Sequence, residues 1–306
     1  MKFEWKGVFP AITTPFTQDD NLDLDMFSKN IKAQIEAGVN GIVIGGSLGE
    51  ASTLTPEEKS VLVNETLKIS NGRIPVIMNI SEQSTKQAVH SAKKAKEDGA
   101  DGLMLLPPMK YKATDYETVE YFKAVAGSTD LPVMIYNNPV DYKIEVTPGM
   151  FEQLLEYENI NAVKDSTRDI SNVTRMINRF GSRFKILTGV DPLGMESLLM
   201  GADGWVAGLV CAFPRETVAV YRLVKAGRID EALKINRWFL PLLELDISPQ
   251  LVQNIKLAEA AAGIGTENVR LPRLPLKGKE RERVQAIIDK AMKTRPELPD
   301  YLSITI

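Results

Sequence analysis

The chain has 306 residues, 44% of them apolar and 25% charged, with a formal net charge of −3. That is the composition of a folded globular protein with no basic face for neutralising nucleic-acid phosphates. One cysteine, Cys211, excludes an intrachain disulfide framework and any multi-thiolate metal site; one histidine, His90, excludes His-based triads and His-rich metal sites.

The N-terminal stretch "MKFEWKGVFPAITTPF" mixes acid, base and proline where a signal peptide would carry an apolar core, and no run approaches the roughly 20 apolar residues of a spanning helix. A cytoplasmic protein without membrane or nucleic-acid partners is expected. The first strand falls in "GVFPAITTPF" (7–16), followed by the helical pattern "LDMFSKNIKAQIEAG" and a second strand, "GIVIGGSL" (41–48). In "LTPEEK" Thr55 caps the next helix, Pro56 takes its first position and Glu58 completes a capping box.

Further apolar runs follow at "PVIMNI" (75–80), "GLMLLPP" (102–108), "PVMIYNNP" (132–139), "INAVKDS" (160–166), "FKILTGV" (184–190) and "GWVAGLV" (204–210), with helical patterns such as "TVEYFKAVAG" between strands. The runs are continuous rather than alternating, as strands buried on both faces should be. Eight βα units over about 220 residues fit a closed (β/α)8 TIM barrel. An open doubly wound sheet is the alternative, but the glycine fingerprint of a dinucleotide site is missing after the first strand and is not met by "GGSLGE" after the second. Beyond about residue 229 only helical patterns remain. The expected organisation is a catalytic barrel over 1–228 and a C-terminal helical region over 229–306 packed on it.

In such barrels chemistry sits where strands end. Strand two ends in Ser47-Leu48-Gly49-Glu50, strand five in Tyr136-Asn137-Asn138-Pro139, strand six in Lys164-Asp165-Ser166 and strand seven in Gly189-Val190-Asp191. Each has a plain structural reading. Lys164 is where a strand meets water, Tyr136 tops a core, Ser47 belongs to a turn, Glu50 begins or caps a helix, and Asp165 and Asp191 cap helices. Cys211 reads as a small buried hydrophobe. Together the strand-end residues suggest more. An amine and a phenol on one rim serve imine chemistry, the amine as nucleophile and the phenol as proton shuttle. The backbone N–H groups of "GGSLG" suit a carboxylate.

"GSLGE", "YNNP" and "VKDS", in this order and spacing, resemble the dihydrodipicolinate synthase/N-acetylneuraminate lyase family of Schiff-base-forming barrels, and the resemblance covers nearly the whole chain. It implies that Lys164 forms an imine with a 2-oxo acid, that Tyr136 shuttles protons and that Ser47 joins the relay. Substrate contacts are then expected from Gly46, Ser47, Leu48, Gly189 and Gly208. No cofactor or metal is expected, and a homo-oligomer, tetramer or dimer, is implied. Three positions depart from the synthases. Leu48 stands where the family's Gly-Thr-Thr-Gly-Glu turn has a second hydroxyl, Asp141 where the synthases carry an arginine, and Lys110 where they carry a tyrosine borrowed across a dimer.

"GSLGE", "VKDS", "GVDP", "AGLVCAFPRE" and "RWFLPLLELD" are similar to a subgroup of Δ1-pyrroline-4-hydroxy-2-carboxylate deaminases, which act on a cyclic imine or its ring-opened amino acid and release ammonia and 2,5-dioxopentanoate. The sequence leaves open a 2-keto-3-deoxy sugar acid aldolase or dehydratase, a pyruvate-condensing synthase, and a non-catalytic barrel that senses 2-oxo acids.

Overall fold

The computed structural model describes residues 3–108 and 110–306. The described residues form eight strands: β1 (Gly7–Pro10), β2 (Ile42–Ile44), β3 (Val76–Ile80), β4 (Gly102–Leu105), β5 (Val133–Asn137), β6 (Ile160–Asp165), β7 (Lys185–Thr188) and β8 (Gly204–Ala207). All ladder pairs are parallel, in the order β1-β8-β7-β6-β5-β4-β3-β2. The circle closes between β1 and β2 through a parallel bridge from Ala11 to Val43 and the bond from Ile12 N–H to the Val43 carbonyl, 3.0 Å. The protein is a TIM barrel.

Helices fill the crossovers: α1 (Leu24–Glu36), α2 (Pro56–Ser70), α3 (Thr85–Glu97), α4 (Asp115–Ala126), α5 (Pro139–Tyr142), α6 (Pro148–Glu152), α7 (Ser171–Phe180), α8 (Gly194–Leu199) and α9 (Pro214–Lys225). The capping box at α2 forms as the sequence indicates, with Glu58 N–H donating to Thr55 Oγ1 and Thr55 N–H to Glu58 Oε2. After α9 come α10 (Ile229–Leu243), a single 3₁₀ turn (Glu244–Ile247), α11 (Leu251–Ala261) and α12 (Gly278–Lys293).

Side chains alternate along each strand between two apolar layers. Phe9, Val43, Ile77, Met104, Met134, Ala162, Leu187 and Val206 fill the barrel interior, whereas Val8, Ile42, Ile44, Val76, Leu103, Val133 and Val163 pack outward against the helices. Both layers being apolar explains the continuous runs in the sequence. The same alternation positions the chemistry. Tyr136 lies two residues beyond Met134 and Lys164 two beyond Ala162, so both continue the inward face to the carboxyl end of the barrel.

Candidate active site

Tyr136 and Lys164 are register partners on neighbouring strands. Both are buried, with 7% of each surface exposed. Lys164 Nζ lies 4.1 Å from the Tyr136 ring centroid. Among the described residues this amine has no ion-pair partner and no hydrogen bond. Burial pulls its pKa below the usual lysine value, against the opposing fields of Tyr142, Asp246, Asp191 and Asp141. A lowered lysine pKa raises the fraction of neutral, nucleophilic amine at a given pH.

Gly189 makes the space for this lysine. A Cβ there would sit 2.3 Å from Ser166 Oγ and 2.5 Å from Lys164 Cε. Burial pushes the Tyr136 phenol up to about 12, moderated by Asn138 and Ser166. Asn138 Nδ2 donates to Tyr136 Oη at 3.1 Å and to Asp141 Oδ2 at 2.7 Å, and Asn138 Oδ1 accepts from Asp141 N–H, so one amide orients both side chains. Its neighbour Asn137 exchanges two bonds with the Val146 backbone, holding the following loop against the strand end.

The sequence reading did not single out Tyr142. α5 is one turn long and brings this second phenol back over the barrel mouth, where its ring meets Tyr136 edge-on at 5.5 Å between centroids. Tyr142 Oη hydrogen-bonds Ser47 Oγ. Burial raises the Tyr142 pKa. The phenol next to Ser47 therefore comes from the same chain, while Tyr111 is 54% exposed. The signal was present as "NPVDY": an Asn cap, Pro at the first helical position, and Tyr one turn after Asn138.

The turn after β2 is closed by bonds from Glu50 N–H to the Ser47 carbonyl and from Ala51 N–H to the Gly46 carbonyl, neither of which uses the N–H groups of Ser47 or Leu48. Ser47 is exposed at this mouth, and Leu48 is buried. Glu50 does not serve as a side-chain cap. It takes a left-handed backbone (φ 57°) and its carboxylate is buried against Lys256 of α11. Asp191, expected to cap a helix, turns inward and accepts from Trp205 Nε1 (3.0 Å), Gly208 N–H (3.1 Å) and Leu209 N–H (2.6 Å). Gly208 borders the cavity, but its N–H belongs to Asp191. Its own requirement is steric, since a Cβ would approach Asp246 Oδ1 to 2.3 Å.

Gly46, Ser47, Leu48, Tyr136, Lys164, Gly189 and Gly208 all border one cavity of about 80 Å³ at the barrel mouth, together with Tyr142, Asp141, Ser166, Arg168 and Asp246. Asp246 arrives from the 3₁₀ turn after α10, a residue that strand-end reasoning had no means to find. Cys211 is fully buried, with its Sγ 3.3 Å from the Ala11 carbonyl and its thiol pKa pushed up by burial. His90 lies on α3, apart from this cavity.

A barrel with this lysine and phenol on adjacent strand ends is matched by known proteins along its length. The dihydrodipicolinate synthetase family model matches residues 4–291. The chain belongs to this family. It is 29% identical over 287 residues to the 4-hydroxy-tetrahydrodipicolinate synthase of Methanothrix thermoacetophila, covering 94% of this chain and 97% of that protein. It is 31% identical over 275 residues to the synthase of Exiguobacterium sibiricum, covering 89% and 92%. The structure of the synthase from Methylacidiphilum fumariolicum SolV superposes with a TM-score of 0.90 at 29% identity, covering 95% of this chain and 97% of that one. The chloride-inhibited synthase of Acinetobacter baumannii, solved with pyruvate, gives 0.90 at 29% identity, covering 94% and 99%. As a family member the chain is a lysine Schiff-base lyase. Among the described residues no helix is long and apolar enough to cross a membrane.

Proposed function

We propose that Lys164 forms an imine with the ketone of a small 2-oxo acid and that Tyr136, Ser47 and Tyr142 move the protons this requires. The observation that carries the reading is the buried amine, unpaired among the described residues, 4.1 Å from the ring centroid of a buried phenol, both on the inward face of adjacent strands. The amine adds to C2, the ketone oxygen takes up protons through Tyr136 and leaves as water, and the resulting iminium makes the C3 proton acidic. Ser47 and Tyr142, hydrogen-bonded to each other, stand beside the Tyr136 ring towards the open side of the cavity, where a bound substrate would join them to Tyr136. The free N–H groups of the Ser47–Leu48 turn suit the C1 carboxylate.

The names of the relatives favour an enamine that attacks a second carbonyl compound, a pyruvate-condensing reaction of the kind those synthases carry out. One observation favours a second reading. Where a condensing synthase would hold an anionic partner with a cation, Asp141 stands, fixed towards the cavity by Asn138. The enamine then expels a C4 hydroxyl as water, as in deamination of Δ1-pyrroline-4-hydroxy-2-carboxylate through its ring-opened 5-amino-4-hydroxy-2-oxo acid; proton shifts move the new double bond to C5=N, hydrolysis there releases ammonia, and hydrolysis of the Lys164 iminium releases 2,5-dioxopentanoate. Borohydride reduction with pyruvate followed by mass mapping tests the shared step; an adduct on another lysine, or none, overturns it. Comparing kcat/KM for pyruvate plus aspartate semialdehyde with that for the cyclic imine decides between the two readings.

A further inference from the structure

Imine formation leaves several polar groups of the cavity without a task. Ser166, two residues beyond Lys164 and 3% exposed, borders the cavity; its Oγ lies near enough to the Tyr136 phenol to lower that group's pKa but makes no well-formed hydrogen bond. A buried hydroxyl without a partner costs free energy unless a ligand completes it. Asp141 is held in place by a donated bond from Asn138 and is paired with no cation among the described residues. Asp246 likewise has no ion pair there, and faces the same cavity.

The cations near this region are few. Lys164 is consumed by the imine, and its positive iminium is already faced by Asp246, Asp191 and Asp141. Arg168 borders the cavity at its outer edge, exposed to water, in a left-handed conformation (φ 62°) that a non-glycine residue seldom adopts. Its charge is shared with solvent and suits attraction of an anionic substrate towards the mouth more than retention of a buried tail.

We propose that the part of the cavity bounded by Asp141, Asp246 and Ser166 selects 2-oxo acids whose far end carries proton-donating groups, hydroxyl or ammonium, and discriminates against a second carboxylate. Two carboxylates accept from such donors, and the Ser166 hydroxyl is placed to bond the same groups. A distal carboxylate would instead enter a low-dielectric space already holding two acidic side chains. Asp246 shows the strain of that crowding: burial and the nearby Asp191 hold its pKa well above the usual carboxylate range. A donor group relieves the crowding, and a further anion worsens it. This selectivity rests on the imine reading and agrees with elimination of a C4 hydroxyl more than with condensation onto a carboxylate-bearing partner.

The test is borohydride trapping at Lys164, read by mass, with three acids of equal chain length (4-hydroxy-2-oxopentanoate, 2-oxopentanoate and 2-oxoglutarate) and pyruvate as control. The hydroxy acid is expected to half-saturate trapping at a concentration about tenfold below 2-oxoglutarate, with 2-oxopentanoate between them. Asp246→Asn and, independently, Asp141→Asn should each narrow that gap, mainly by improving 2-oxoglutarate. Equal trapping of the three acids by the unmodified protein overturns the proposal, as does a gap that both variants leave unchanged. A preference for 2-oxoglutarate that Arg168→Ala removes overturns it in favour of an anion-reading cavity. Absence of a Lys164 adduct even with pyruvate instead overturns the imine reading, and the selectivity with it.

Discussion

Among the described residues two lysines are buried, and they lead opposite lives. Lys256, in the middle of α11, is 0% exposed; it pairs with the buried Glu50, donates to the Asn268 carbonyl at 2.7 Å and lies 4.6 Å from the centroid of the Phe16 ring. Lys164 is nearly as buried and also sits against an aromatic ring, but among the described residues it has no ion-pair or hydrogen-bond partner, and it opens onto a cavity. Burial lowers the pKa of both. What separates a fastener from a nucleophile is therefore not desolvation, which they share, but whether the amine's hydrogen-bonding capacity is already spent. At Lys256 it ties α11 to the turn that carries Ser47. At Lys164 it is kept for a substrate.

The largest effect should come from removing the free amine. Lys164→Ala is expected to abolish turnover and borohydride trapping while the circular dichroism spectrum and melting temperature stay close to those of the unmodified protein, because no ion pair or hydrogen bond among the described residues is lost. Retained trapping at another lysine would break the comparison. Tyr136→Phe should follow, lowering kcat by roughly 10²–10⁴-fold with a small change in KM, since the hydroxyl acts in transition states more than in ground-state binding. A rise in KM at constant kcat would make Tyr136 a binding residue. Tyr142→Phe interrupts the path through Ser47 and should lower kcat less than Tyr136→Phe does.

The fastener should fail differently. Lys256→Met leaves the Glu50 carboxylate buried without its main partner, and removing one member of a buried pair costs about 3–5 kcal/mol. The lower end is expected, because Arg273 lies 3.6 Å from Glu50 Oε2 and the Arg270 N–H donates to the same atom. Urea unfolding should show this as a lowered midpoint. The surviving folded fraction should still be trapped on Lys164 by pyruvate, and loss of trapping in folded protein would mean that the two lysines do not act separately.

The difference between the lysines was half legible in the sequence. Lys164 ends a continuous apolar run, and strand periodicity together with the barrel's functional face was enough to set it beside Tyr136. Lys256 lies in "VQNIKLAEAA", an amphipathic helical pattern in which a lysine reads as exposed; nothing local announces that Glu50, 206 residues away, will bury it. Asp246 was hidden for the same reason, since its arrival at the mouth depends on how the turn after α10 docks on Gly208. Tyr142 had a local signal, but the direction in which a one-turn helix returns its last residue is a tertiary matter. The apolar runs were also read too long: "GWVAGLV" contains β8 only to Ala207, and Leu209–Cys211 is a 3₁₀ turn whose first N–H is taken by Asp191. Long-range polar pairing, rather than element order, is what the sequence withheld.

The subtlest difference between the two lysines should be visible in pH dependence. Protonated Lys164 cannot attack a carbonyl, so kcat/KM should fall as pH drops through its folded-state pKa, which burial holds below the usual lysine value. The carboxylate of Asp246 opposes that depression by favouring the ammonium form. Asp246→Asn removes the negative charge, makes the ammonium less favourable and lowers the Lys164 pKa further, so the acid limb of the profile should move to lower pH. Glu259→Gln supplies the control. Glu259 is raised to about 7, chiefly by burial, and its field acts on Lys256 rather than Lys164. That variant should leave the acid limb where it is. An acid limb that shifts towards higher pH in Asp246→Asn would contradict the field argument at the barrel mouth, and one that moves equally in Glu259→Gln would show that the two buried amines share one electrostatic environment after all.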